Sequence, residues 1–504
     1  MIVSGRHQQR AVTAPLRRAA RRFGVRILLI AWFSIGLWNV TKPMPPGTEV
    51  GSEFTPSPLA DVAFLTDLSY RNGQHEPIRE QAIFNEVFRI IDGATTFLVL
   101  DFFLLNDHTG QAGVVHRELS RELVDRVLER SRERPELDVL VITDPVNTVY
   151  GGEPLEHLSR LTAGGVEVVT TDLTRLRDPN PAYTALWRTF VQWWGNSPTG
   201  GWLPNPFDDG PEEITLRSWL ALLNFKANHR KVVVADQVDG DWVALVTSAN
   251  PHDASSAHSN VALRFRGALA ATVLASELEI AEFSGWRGRL NAGPPPEAAR
   301  GAPESFAQLK YVTEGEIRRS LLSAIAGAKA GDQIKIATFY LSDRDIIDGL
   351  LDASERGVTV QVVLDPNKDA FGRVKNGIPN RPVAAELVRE SNGAIAVRWY
   401  RTHGEQFHTK IVIVTSQDHV FASLGSANLT RRNIGNYNLE ANVVVDTAAN
   451  SVLALQLTEY FERLWHNNRS VGVVYTDPFE RWHDPSRIRY WRYRLMEATG
   501  LSTF

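Results

Sequence analysis

His229 and Lys231 stand two positions apart in Asn228-His229-Arg230-Lys231-Val232-Val233-Val234-Ala235-Asp236. On a β-strand, residues so spaced share one face. A neutral imidazole can attack phosphorus, and a neighbouring ammonium can neutralise phosphate oxygens as charge develops. One His-x-Lys pair decides nothing, because solvated strand faces often carry one. The sequence holds a second, in Phe407-His408-Thr409-Lys410-Ile411-Val412-Ile413-Val414. Each pair precedes a turn, another strand and a polar cap: Thr247-Ser248-Ala249-Asn250 in one case, Gly425-Ser426-Ala427-Asn428 in the other. Lys231 to Ser248 is 17 positions and Lys410 to Ser426 is 16. Two units matched to that degree point to a site built twice.

The flanking elements repeat as well. Thr96 to Leu105 and Leu137 to Thr143 are buried-strand runs separated by an amphipathic helix, Arg117 to Arg134. Gln333 to Leu341 and Val358 to Leu364 are separated by a helix at Ile346 to Arg356, with Asp343 as its N-cap. The second strand of each set ends in Asp-Pro, at Asp144-Pro145 and Asp365-Pro366. A strand near Val166 to Thr170 matches one near Ala394 to Trp399, and helices are expected over Pro77 to Ile91 and Ile317 to Ala328. The period of about 180–220 residues is too long for a solenoid. The expected fold is α/β, with two similar lobes, each a mixed β-sheet flanked by helices, and an N-terminal membrane-anchor helix. The lobes are placed at 60–290 and 305–504, joined by a Pro-rich linker at 291–304. A Trp-rich insertion occupies about 178–213 and reads either as a covering loop or as a lipid-touching surface.

The chain of 504 residues has no Cys, which excludes disulfides, thiolate catalysis and Cys-ligated metals. Residues 1–26 hold seven Arg and no acid, so a net charge of −4 leaves the remainder at −11. Such a body does not attract polyanions over its whole surface. Residues 27–41 carry no charge. They are short for a membrane span, but no small-x-small cleavage site follows, and a core helix would not normally follow seven Arg. An uncleaved anchor fits best, with 1–26 as a cytoplasmic tail and 42–59 as a stalk. The body then stands outside the cytoplasm, held at the inner (plasma) membrane.

These residues resemble the phospholipase D superfamily, whose motif is His-x-Lys, four residues, Asp, and then Gly-Ser-x-Asn. His229, Lys231, Asp236, Ser248 and Asn250 match it, with Thr247 in place of Gly; His408, Lys410, Gly425, Ser426 and Asn428 match it again. Thr415 stands where the second Asp would fall, with Asp418 three positions late. Fourteen residues beyond Ser426, Glu440 occupies a family acidic position, whereas the first lobe has Ala262 there. The resemblance implies one shared site in which one His attacks and the other, His408, serves as acid and base; His229 is read as the nucleophile because Asp236 completes its motif, although a near-symmetric pair can exchange roles. It implies Lys231, Lys410, Asn250 and Asn428 on the phosphoryl oxygens, with Ser248 and Ser426 binding phosphate or capping helices. Asp236 and Glu440 would support this machinery. It implies no metal and no cofactor, since two Lys supply the charge. His252, His258, His403 and His419 lie near the motifs without matching them and are read as structural.

The anchor, the insertion and Leu223 to His229 look like bacterial membrane-bound cardiolipin synthases or phospholipases. The first expectation is therefore phosphatidyl transfer or hydrolysis on phospholipids through a phosphohistidine. The second is an extracytoplasmic nuclease acting on single strands, against which the acidic body argues. A scaffold with dead motifs fits poorly with two intact His-Lys pairs. Oligomeric state is not set by any feature of the sequence.

Overall fold

The computed structural model describes residues 5–108, 116–207, 212–297, 305–370, 373–502 and 504. The chain opens with helix α1 (Gly5–Thr41). Strand β1 (Thr55–Pro58) precedes the first lobe and joins the sheet of the second; the first lobe contains β2 (Val62–Arg71), β3 (Pro77–Glu80), β4 (Phe97–Phe102), β5 (Asp138–Thr143) and β6 (Glu167–Thr170). The small hairpin β7 (Leu203–Pro204) and β8 (Glu213–Ile214) lies in the insertion, and β9 (Lys231–Asp236), β10 (Trp242–Thr247) and β11 (Asn260–Arg266) follow. Its helices are α2 (Ile83–Gly93), α3 (Leu119–Glu133), α4 (Glu156–Ala163), α5 (Pro181–Leu186), α6 (Leu216–Leu222) and α7 (Leu269–Phe283).

The second lobe has β12 (Phe306–Thr313), β13 (Gln333–Thr338), β14 (Thr359–Leu364), the hairpin β15 (Asp369–Ala370) and β16 (Arg373–Val374), and β17 (Ile395–Tyr400). It continues with β18 (Lys410–Thr415), β19 (His419–Gly425), β20 (Ala441–Ala448) and β21 (Thr476–Pro478). Helices α8 (Glu314–Gly327), α9 (Arg344–Glu355), α10 (Asn380–Glu390), α11 (Arg431–Ile434), α12 (Val452–His466) and α13 (Arg487–Thr499) complete it.

The two large sheets repeat one order. The first runs β3-β2-β11-β10-β9-β4-β5-β6 and the second β1-β12-β20-β19-β18-β13-β14-β17-β21. In each, three strands are parallel (β4, β5, β6 and β13, β14, β17) and the His-x-Lys strand pairs antiparallel with the first of them. The expected α/β fold of two similar lobes is the observed one. Strand alternation explains the layering. Val232 and Val234, with Ile411 and Ile413, belong to one core that draws on both sheets. Val233 and Ala235 pack with α2 and α3 on the outer side of the first lobe, and Val412 and Val414 with α8 and α9 on that of the second. A two-residue period buries both faces of these strands, which is why they read as continuous Val/Ile runs.

Several local expectations are revised. The helix read over Pro77 to Ile91 begins only at Ile83; Pro77–Glu80 is an edge strand, a position that tolerates a Pro. Asp343 caps α9 as expected, accepting from the Asp345 and Ile346 amides. The stretch read as a stalk docks on the body: β1 pairs with β12, and Thr48 lends its carbonyl to Arg230 and Thr313. Of the linker expected at 291–304, residues 298–304 lie outside the described residues, as do 1–4 of the basic tail and 208–211 of the insertion.

Candidate active site

Neither histidine lies on its strand. His229 and His408 stand just before β9 and β18, where a segment of each lobe crosses against one of the other lobe and hydrogen-bonds to it. The His229 amide donates to the Leu439 carbonyl at 2.9 Å, and the Leu439 amide to Ala227 at 3.0 Å. Across the pseudo-twofold axis, the Ser259 amide donates to Gln406 at 3.1 Å. The two Asp-Pro aspartates fix these crossings. Asp144 Oδ2 accepts from the Asn228 amide at 2.7 Å and Asp365 Oδ2 from the Phe407 amide at 2.8 Å, each one residue before the histidine. Sequence repetition had marked both aspartates without giving them a role.

Each ring is then held by the opposite lobe. His229 Nδ1 lies 3.0 Å from Glu440 Oε2, and His408 Nδ1 lies 3.1 Å from Asn260 Oδ1. Ser426 and Asn433 side chains also donate to Glu440, and Ser248 donates to Asn260 at 2.9 Å. Asn260 was not foreseen. Counting fourteen residues from each serine pairs Glu440 with Ala262, but sheet register pairs Thr247 with Ala262 and Gly425 with Asn442. The residue two before each partner is Asn260 in one lobe and Glu440 in the other. The first lobe reaches it with a loop two residues shorter.

Both serines are therefore props for the histidine partners. They are fully buried, do not line the cavity, and precede no helix, which corrects their reading as phosphate ligands or helix caps. Asn250 and Asn428 do line it with the two histidines. Asn250 Oδ1 accepts from the Leu104 amide, while Asn428 Oδ1 is buried with no protein partner.

Asp236 is not brought to the site. It sits at the far end of β9, five residues from Lys231, where it accepts the Thr95 and Thr96 amides and both threonine hydroxyls. Those donors hold its carboxyl below the usual range despite burial. Thr415 ends β18 in the same way, so its difference from Asp falls at a strand end and not beside the chemistry.

Lys231 and Lys410 are buried behind the cavity wall. Their ammonium groups donate to the His229 and His408 carbonyls at 2.6 and 2.9 Å and lie 5.1 and 5.3 Å from the Phe103 and Phe339 rings. Burial pushes Lys231 down to about 7 and Glu440 up to about 8, while each pulls the other back towards its charged form. Lys410 is depressed by burial and by Lys231. Burial and the two lysines hold both histidines well below the usual imidazole range. Donation to acceptors fixes the proton on each Nδ1 by the hydrogen-bond network and leaves Nε2 with a free lone pair.

The cavity these groups share measures about 230 Å3. His229, His408, Asn250 and Asn428 line it with the cations Lys226, Lys375 and Arg432, and Phe103, Val146, Phe207, Leu222, Phe225, Phe339 and Phe504 supply apolar wall; the Phe103 and Phe339 rings stand 4.8 and 5.2 Å from His229 and His408. His252 and His258 also line it, with the His258 ring 5.8 Å from His408.

Residues 321–465 match the family model described as cardiolipin synthase, PLD-like domain. Cardiolipin synthase A of two Klebsiella pneumoniae strains is 28% identical over 175 residues, 34% of this chain. The match spans about a third of the length of those relatives, 33%. The crystal structure of phosphatidylserine synthase from Haemophilus influenzae superposes with a TM-score of 0.55 at 11% identity, covering 93% of this chain and 99% of that one. Residues 321–465, most of the second lobe, are thus similar to a PLD-like domain, and both lobes share the fold of that synthase.

Proposed function

We propose that the protein transfers or hydrolyses the phosphatidyl group of a phospholipid through a phosphohistidine. The observation that carries this reading is one cavity lined both by two neutral imidazoles with Asn250 and Asn428 and by a set of Phe, Val and Leu side chains. His229 Nε2 attacks phosphorus, the P–N bond forms, and the P–O bond to the departing alcohol breaks while His408 protonates that oxygen. His408 then takes a proton from the incoming alcohol or water, whose oxygen displaces His229. Glu440, drawn towards its carboxylate form by Lys231, Ser426, Asn433 and Lys410, stabilises from across Nδ1 the positive charge that develops on the attacking ring. Lys231 and Lys410 supply positive potential from behind the wall, and Asn250 and Asn428 are placed to meet the phosphoryl oxygens. An anionic phosphodiester offsets the two lysines that depress His408, so proton uptake accompanies binding and arms the acid.

The membrane elements support a lipid substrate. The stretch Arg21–Thr41 is long and apolar enough to cross a bilayer, about 30 Å at 1.5 Å per residue. Its last turns pack on α5 of the insertion, with Gly36 against Pro181 and Ala185 and the Asn39 carbonyl accepting from the Asp178 amide just before α5. That insertion buries Trp187 but exposes Phe190, Trp193, Trp194 and Trp202, the distribution of an interfacial surface. The Arg-rich tail is then cytoplasmic and the body extracytoplasmic. Purified protein incubated with labelled phosphatidylglycerol and, separately, with single-stranded DNA tests the reading. Release or exchange of the glycerol headgroup is expected; shortened DNA with intact lipid would establish the nuclease instead.

A further inference from the structure

A second cavity, of about 570 Å3, opens between α13 and the N-terminal ends of α8 and α9, with α11 as its floor. Four guanidiniums line it, and they are not equivalent. Arg318 and Arg344 are matched by carboxylates, Asp343 and Asp345 for one, Glu386 and Asp348 for the other. Arg431 and Arg494 are not. Arg431 donates only to the Tyr437 hydroxyl and the Glu497 carbonyl, Arg494 only to the Tyr490 hydroxyl. Among the described residues no carboxylate stands within ion-pair distance of either guanidinium. The Glu497 carboxyl is engaged by the Arg431 amide.

The outer lip of this cavity is apolar. Trp491 and Leu495 line it, are 66% and 64% exposed, and with Ile488 (82%) form one stripe along α13. Exposed Arg487, Arg489 and Arg492 flank the stripe, the pattern of a helix that lies on an anionic membrane surface. The position in the fold agrees. Gly500, at φ +72°, ends α13 against the Pro179 carbonyl, with no room for a Cβ. Residues 179–181 lead directly into α5, whose Pro181 carbonyl would stand 2.9 Å from a Cβ on Gly36 of α1. The membrane helix, the start of the aromatic insertion and the C-terminal end of α13 are thus in contact.

We propose that this cavity binds the headgroup phosphate of an anionic phospholipid standing in the bilayer, between Arg431 and Arg494, with its acyl chains along Ile488, Trp491 and Leu495. The inference rests on the reading of α1 as a membrane span and on none of the chemistry at the histidines. The site abuts the catalytic cavity. Arg431 faces one cavity, while Arg432 and Asn433 of the same helix face the other, and Asn433 donates to Glu440. Occupancy would therefore steady the helix that helps hold the partner of His229.

Hydrogen exchange of the full chain in nanodiscs tests this. One set of nanodiscs contains phosphatidylcholine alone, the other phosphatidylcholine mixed with phosphatidylglycerol. Amides of α13 and α11 are expected to exchange at least about tenfold slower in the mixed nanodiscs. R494Q and, separately, W491A/L495A should each abolish that difference. These side chains are exposed or partly so, and unchanged circular dichroism will show that both variants fold. Equal exchange in the two nanodiscs, a difference surviving in both variants, or the same slowing by inorganic phosphate would overturn the proposal. Failure of the chain to remain in either nanodisc would overturn the span reading and the site with it.

Discussion

The two half-sites are built alike and finished differently. Each has a histidine at a chain crossing, an Asp-Pro aspartate behind it, a phenylalanine against it and a buried lysine donating to its carbonyl. What differs is the group the other lobe presents to Nδ1: a carboxylate, Glu440, on His229 and an amide, Asn260, on His408. A carboxylate favours the ring that must become cationic while bonded to phosphorus. A neutral amide fixes the tautomer without adding a charge, leaving that ring to respond to the substrate's own charge. Under the proposed mechanism, like backbones with unequal partners would give one histidine for attack and one for proton transfer.

The largest expected effect separates those roles. With an ordinary lipid, H229A and H408A should each lose about 10⁴-fold or more in kcat/KM. With a nitrophenol leaving group, which needs no acid, H408A should still release one burst equivalent and H229A none. Equal bursts, or a burst only in H229A, would reverse the assignment. Next, E440Q should lose about 10²–10³-fold in kcat, because it removes the charge opposite the attacking ring. N260A should lose only about tenfold, since an amide contributes orientation alone; equal losses would erase the difference between the halves.

The comparison is sharpened by pH. The depressed histidines place the acid limb of kcat/KM below the usual imidazole range. Removing a neighbouring cation lets a histidine hold its proton to higher pH, so K410M should move the limb upward at reduced rate. A limb that stays put would show that the lysine charge does not set it. N260D, which brings a carboxylate to His408, should shift the same limb up by about one unit or more.

The smallest effect concerns the motif residue that lies away from the chemistry. D236N should leave kcat within about twofold while lowering stability by about 1–3 kcal/mol, read as a fall in unfolding midpoint. The Asp236 carboxyl is held below its unfolded value, so its contribution is present above pH about 4 and is lost as pH falls further. D236N should therefore narrow its gap to wild type in acid. T415D should not raise kcat.

Much of this was legible in the sequence, and the misses have physical causes. Paired spacing identified His229, Lys231, His408 and Lys410 and gave the two-lobed α/β fold, because period and motif are local properties. The partners of the histidines come from the opposite lobe. Glu440 was found only through the family pattern, and Asn260 was missed because a shorter loop shifts the count while sheet register keeps the place. The motif aspartate misled in the other direction: adjacency in sequence to Lys231 becomes opposite ends of one strand. Asp144 and Asp365 were visible as repeats, but their task, holding the residue before each histidine, exists only once β5 and β14 lie beside the crossings.

The most direct test is to stop a reaction of wild-type protein with labelled phospholipid in alkaline denaturant, which preserves phosphohistidine, and to locate the adduct by peptide mass spectrometry. A phosphoryl group on His229, absent from His408 and lost in H229A, is expected. The adduct on His408 with His229 unmodified would contradict the assignment of roles to the two half-sites.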